Sequence, residues 1–138
     1  VKNKKVAVTH RYFTYILLVD TSAEEPALLI RRRPSCDIWQ GLYEPLLIET
    51  PAPITAEEVE AHPDWKACGL GEVPFEMLVR DLKHELTHRR LHVDAYVVRA
   101  AVPPSADWLR VPLSALADYA FPKVVNLLCE RAFTPSSE

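Results

Sequence analysis

The sequence predicts an α+β fold, in which strands group together rather than alternating strictly with helices. Three observations carry that expectation. RYFTYILLVD and ALLIRRR, rich in β-branched and aromatic residues, are separated only by the polar TSAEEP. A period-2 alternation begins at Leu91 and marks a strand late in the chain. The closing FPKVVNLLCERAF carries an apolar stripe at helical spacing. At 138 residues a single domain is expected. Such a chain is long enough to remove roughly two-thirds of its unfolded surface from water.

Residues 11–20 read as a strand buried on both faces, and 27–33 as the returning strand of a hairpin. Pro34, Ser35 and Asp37 mark a loop, with Gly41 as the flexible joint of IWQGLYE. LYEPLLIE, 42–49, reads as a third strand that Pro45 makes an edge or interrupts. Thr55 and Glu58 form a capping box for a short helix that Pro63 limits to about two turns. Residues 63–76 read as a connection. The next segment is ambiguous. Phe75, Leu78, Val79, Leu82 and Leu86 fit a helical period. Leu91, Val93, Ala95 and Val97 then alternate with His92, Asp94 and Tyr96 as in a strand. If 77–87 is also a strand, HELTHRR lies at a hairpin bend. Pro103, Pro104 and Ser105 end that strand. VPLSALADY, 111–119, reads as a short helix or turn. Pro122 suits the first position of a last helix, whose core face is Val124, Val125, Leu128, Cys129 and Ala132.

Composition narrows the function. The net charge of −3 argues against coating nucleic acid through bulk positive charge. It leaves room for a local basic face, since Arg31, Arg32, Arg33, Arg89 and Arg90 fall in two runs. Cys36, Cys68 and Cys129 are odd in number and widely spaced, which fits a reducing compartment better than a disulfide framework. No apolar run approaches the length of a membrane span and no signal peptide is legible. An opening at Val1 rather than Met fits a piece cut from a longer protein.

HELTH, residues 84–88, matches the zinc-protease string His-Glu-x-x-His. On a helix His84 and His88 would share a face, with Glu85 as general base. A catalytic zinc also needs a third protein ligand. The positions where a glycine turn and a third histidine would stand hold Leu91 and Asp94. His84, His88 and His92 stacked along one straight helix would span roughly 12 Å, too far for one ion. A non-metal role is the better reading, and a small zinc hydrolase using His84, Glu85 and His88 stands as an alternative.

Four segments then occur in one order: RYFTYILLV, LLIRRRPSCDIWQGLYEPLLIET, LKHELTHRRLHVDAYVV and ADYAFPKVVNLLCERA. Together they resemble the C-terminal domain of MutY-type A/G-specific adenine DNA glycosylases, over at least residues 11–132. The run from Arg33 to Glu44, the Thr-His pair and Tyr-Ala-Phe-Pro are the most specific pieces. The resemblance implies a Nudix-like fold, a mixed sheet flanked by helices, over residues 1–133, with 134–138 as a disordered tail. It implies that this domain helps recognise 8-oxoguanine opposite adenine in double-stranded DNA. The catalytic carboxylate and an iron–sulfur cluster would lie in an N-terminal helical domain, its partner in the same protein. This chain shows neither a helix-hairpin-helix signal nor a four-cysteine set. No catalytic residue, metal or cofactor is therefore expected in it. A cytoplasmic, nucleoid-associated bacterial protein is implied.

The family's recognition turn, usually Phe-Ser-His, maps onto Leu86, Thr87 and His88. Thr87 keeps a hydroxyl that both donates and accepts, suited to the altered edge of 8-oxoguanine. Leu86 departs from phenylalanine. It can wedge at a base step but offers no stacking face. Arg89 and Arg90 are placed to meet phosphates. Arg11 and Arg31 to Arg33 are weaker candidates, and one of that run should be buried against an acid such as Glu44. Trp39 and Tyr43 invite a base-stacking reading, but core or domain-interface packing is their expected role. A Nudix-type nucleotide pyrophosphohydrolase is the other alternative. It would need a magnesium-binding helix, and TAEEVEA offers Glu57, Glu58 and Glu60 without a leading arginine. Leu46-Leu47 stand where a glycine pair is expected.

Overall fold

The computed structural model describes residues 8–33, 38–103 and 107–133. The expected loop marks Pro34, Ser35 and Asp37, the stops Pro104 and Ser105, and the tail 134–138 lie outside them.

The first strand, β1 (Thr9–Asp20), is buried from Phe13 to Asp20. Both faces are covered, which is why its sequence is nearly continuous in apolar residues. β2 (Ala27–Arg32) returns antiparallel, as expected, but pairs with β1 only at Val19–Leu28 and Asp20–Ala27. The strands then part because another segment takes that edge of β1. Pro45 interrupts the third strand into β3 (Tyr43–Glu44), which pairs with β2, and β4 (Leu46–Thr50), which pairs with β1 from Tyr12 to Ile16. Pro has no N–H to give to a ladder, so the break falls there.

Along its other edge β1 runs parallel to β6 (Arg89–Ala100), from Thr9–Arg89 to Asp20–Ala100. β5 (Glu76–Leu86) lies antiparallel outside β6, and β7 (Leu109–Pro112) pairs with β2. The result is one mixed seven-stranded sheet. Helices cover both faces. On one face Phe13, Tyr15, Leu17, Val93 and Ala95 pack under Val124, Val125 and Leu128 of α3 (Lys123–Phe133). On the other, Ile16, Leu18 and Val98 pack under Val59 of α1 (Ala56–Ala61) and Trp65 of α2 (Pro63–Lys66). No helix among the described residues is long and apolar enough to cross a membrane.

β5 resolves the ambiguous segment as a strand. Register shifts between Met77 and Val79 and between Val79 and Leu82 mark bulges. Each extra residue flips the facing of the residues beyond it. Leu78, Val79, Leu82 and Leu86 thus reach one core face at a spacing that mimics a helix. Asp81 sits in the bulged stretch at φ 57, its N–H held by the Asp94 carboxylate at 2.7 Å.

Other elements differ in detail. The connection after residue 62 contains α2, because Pro63 both ends α1 and opens a new helical turn. Residues 111–119 divide into the end of β7 and a 3-10 helix over Leu113–Asp118. Pro122 lies one residue before α3, where its carbonyl accepts the Asn126 N–H at 3.0 Å. The Thr55–Glu58 capping box forms in both directions. Thr55→Ala should therefore cost about 1 kcal/mol, read as a lower thermal midpoint with the signature of the sheet unchanged.

Candidate functional site

Leu86 ends β5 and Arg89 opens β6, so Thr87 and His88 alone make the turn between them. The Thr9 N–H donates to the His88 carbonyl at 3.0 Å and ties the turn to the start of β1. Thr87, His88 and Arg89 are exposed, while Leu86 is half-buried and packs on the core.

The zinc-protease reading of HELTH falls on this backbone. His84 and Glu85 are adjacent strand residues and project to opposite faces. His84 faces the indole of Trp39, with ring centroids 6.0 Å apart. Glu85 meets Arg90 across the strand pair at 2.8 Å. His92 is engaged elsewhere. Its Nδ1 lies 3.2 Å from the Asp81 carboxylate and its Nε2 2.8 Å from Nδ1 of His10, while its ring stacks on Tyr12.

Thr9, Ile38, Trp39, Leu86, Thr87, His88 and Arg89 line a 470 Å³ concavity. Four of the five site residues expected from the sequence thus share one surface. Arg90 is the exception. It lies on the opposite face, paired with Glu85, and its Nε is buried without a hydrogen-bond partner among the described residues. Arg89 has no ion-pair partner among the described residues, so its charge remains available. Of the weaker candidates, Arg11 is engaged by Glu49 through two hydrogen bonds of 2.7 and 2.8 Å.

Trp39 enters the site although packing was its expected role. It does pack, edge-on against Phe13 at 6.2 Å between centroids. It also lines the concavity, held at φ 58 in the turn where its carbonyl accepts the Leu42 N–H. A large side chain at positive φ is uncommon and costs about 1–3 kcal/mol of local strain. That placement comes from the turn geometry and is invisible in the residue string.

Beneath this turn Arg33 and Glu44 form the buried ion pair expected for the arginine run, at 2.7 Å with side-chain exposures of 5% and 3%. Arg33 Nε also donates to the Ile38 carbonyl at 2.9 Å. Burial holds the Glu44 carboxyl above the usual carboxylate range, against the pull of Arg33 and Arg31.

A family model for the NUDIX domain matches residues 14–131. The chain belongs to the Nudix domain family. The sheet with helices on both faces is thus the Nudix fold. Solved structures resemble it throughout. The C-terminal domain of mouse MUTYH, solved in complex with human PCNA, is 16% identical at a TM-score of 0.69, covering 88% of this chain and 86% of that one. A MutT protein from Methanosarcina mazei is 17% identical at 0.67, covering 92% and 95%. The C. elegans Ap4A hydrolase is 10% identical at 0.63, covering 91% and 96%. No curated protein sequence matches the chain.

Nudix neighbours therefore include both a MUTYH domain and hydrolases. The magnesium site of a hydrolase can be tested against the residues present. Glu57, Glu58 and Glu60 lie on α1, but the Glu58 carboxylate accepts the Thr55 N–H at 2.9 Å as part of the cap. Among the described residues no three His, Cys, Asp or Glu side chains converge as a metal site. These carboxylates do not fit a magnesium cluster.

Proposed function

We propose that this chain is the lesion-recognition domain of a MutY-type adenine DNA glycosylase. It reads 8-oxoguanine opposite adenine through Leu86, Thr87 and His88. The observation that carries the reading is the Thr87-His88 turn, raised at the rim of a concavity with the uncompensated Arg89 beside it. An exposed hydroxyl and imidazole on a rigid two-strand support suit the donor–acceptor edge of a base. Arg89 suits a phosphate. Arg90, tied to Glu85, contributes less. On this reading the domain binds and does not cleave. The glycosidic bond is broken by a helical domain outside this chain, which carries the carboxylate and the iron–sulfur cluster. Affinity of the isolated domain is low, because a net-acidic fragment makes few phosphate contacts. Linkage to the catalytic domain raises it through effective concentration.

The test is competition binding with duplexes containing 8-oxoguanine:A or G:A. Thr87→Val removes the hydroxyl at nearly constant shape. It should lower the preference for the lesion about fivefold, the value of about 1 kcal/mol for one hydrogen bond. Arg89→Ala should weaken both duplexes alike and reduce the salt slope by about one. A lesion preference unchanged in Thr87→Val contradicts the reading. Family membership alone favours a second reading, nucleotide pyrophosphate hydrolysis. It predicts magnesium-dependent turnover of a nucleoside triphosphate, which a phosphate-release assay detects directly.

A further inference from the structure

Leu86 gives the turn no aromatic face, yet the concavity it overlooks has one in Trp39. We propose that Trp39 is a further DNA-contacting residue of this site, its indole supplying the aromatic surface against a nucleobase that Leu86 lacks. The inference rests on the reading of the turn as a DNA reader and adds a residue on a different loop, between β2 and β3.

Three observations converge on it. Trp39 and Leu86 line the same concavity with the exposed Thr87, His88 and Arg89, so a base reaching the turn also reaches the indole. The indole is half-buried rather than sealed in the core, unlike Trp65 at 2% exposure. Its position is fixed before any ligand arrives. Phe13 packs on it at 78°, His84 at 57°, and the Arg33 guanidinium lies 6.0 Å from its centroid. A preorganised ring loses little entropy on binding. Stacking on an aromatic is also sequence-tolerant, since every base presents a π-face. Labour is thereby divided: Thr87 and His88 read the edge of the lesion, and Trp39 holds the base step. The positive φ of Trp39 agrees with a side chain aimed by its turn rather than by core packing alone.

The domain carries three tryptophans, so 5-fluorotryptophan labelling yields three fluorine resonances. Trp39→Phe identifies the one that belongs to Trp39. On titration with an 8-oxoguanine:A duplex, that resonance should shift along the same saturation curve as the Thr87 and His88 amides, while that of Trp65 stays still. Trp39→Leu should bind about tenfold more weakly, and Trp39→Phe should stay within about twofold of the parent, because a ring is retained. Thermal midpoints of both variants separate lost contact from lost fold, and the fluorine shift needs no variant beyond its assignment. If the turn amides move while the Trp39 resonance does not, and Trp39→Leu binds as the parent does, this proposal is overturned and the reading of the turn survives. If nothing moves, the reading of the turn fails and this proposal with it.

Discussion

Glu44→Ala should lower the stability of the domain by about 3–5 kcal/mol, enough to unfold a marginal domain of this size near physiological temperature. The variant leaves the Arg33 guanidinium, 5% exposed, without its 2.7 Å partner. Breaking a buried ion pair by removing one end costs far more than the intact pair contributes. Arg31, 3.7 Å from Glu44 on its more exposed side, loses the same partner. Replacing both ends by apolar residues, as Arg33→Met with Glu44→Leu, should recover much of the loss, because the buried pair is then removed as a whole. Urea unfolding of the single and double variants checks this. A double variant as unstable as Glu44→Ala would contradict the account. The pair also supports the site. Arg33 holds the Ile38 carbonyl and lies beside the Trp39 ring, so Glu44→Ala should loosen the wall opposite the Thr87-His88 turn before it reduces secondary structure.

Asp20→Asn should cost about 2–4 kcal/mol at neutral pH. Asp20 ends β1 almost wholly buried, and each of its oxygens accepts two hydrogen bonds. Ser22 N–H and Val102 N–H donate to Oδ1 at 3.0 and 3.1 Å. The Ser22 hydroxyl and Arg110 Nε donate to Oδ2 at 3.0 and 2.6 Å. These contacts join β1 to the segments after β1 and β6 and to β7; an amide keeps one accepting oxygen and turns its NH2 toward the donors at the other, so two of the four bonds are lost. Burial opposes ionisation here, but Arg110, Val102 and Ser22 outweigh it and hold the carboxyl well below the usual range. A depressed folded-state pKa contributes stability that is fully present above the unfolded value of about 3.9 and is lost as pH falls through the folded one. The gap between parent and Asp20→Asn should therefore be level from pH 7 to about 5 and shrink below about 4. Urea unfolding at pH 7, 5 and 3 measures it, and a gap that widens toward acid would contradict the assignment.

Local chemistry makes much of the fold legible. Pro45 marks the break between β3 and β4, Thr55 and Glu58 the start of α1, and the alternation from Leu91 the strand β6. β5 is ambiguous in sequence because its bulges shift side-chain parity, which a periodicity count cannot distinguish from a helical turn. The β1–β2 hairpin is legible but not its brevity, since that depends on β4 arriving from elsewhere in the chain to take the same edge. At the site, the turn residues Thr87 and His88 are legible through the resemblance. The opposite facing of Arg89 and Arg90 comes from strand alternation once β6 is known to begin at Arg89. The place of Trp39 is not legible. Its sequence context reads as packing, and only the left-handed turn brings it to the concavity. The contact of His10 with His92 is likewise hidden, since parallel pairing of the first and sixth strands joins residues far apart in sequence.

In the proposed role the Thr87-His88 turn distinguishes a lesion from an unmodified pair. An amide-shift NMR titration of the labelled domain, at low salt, with short duplexes containing 8-oxoguanine:A or G:A, tests it most directly. Shifts should centre on Leu86, Thr87, His88, Arg89 and the neighbouring Thr9 and Trp39, and be larger for the lesion duplex than for its unmodified counterpart. Equal shifts for the two duplexes, or none at the turn, would contradict it.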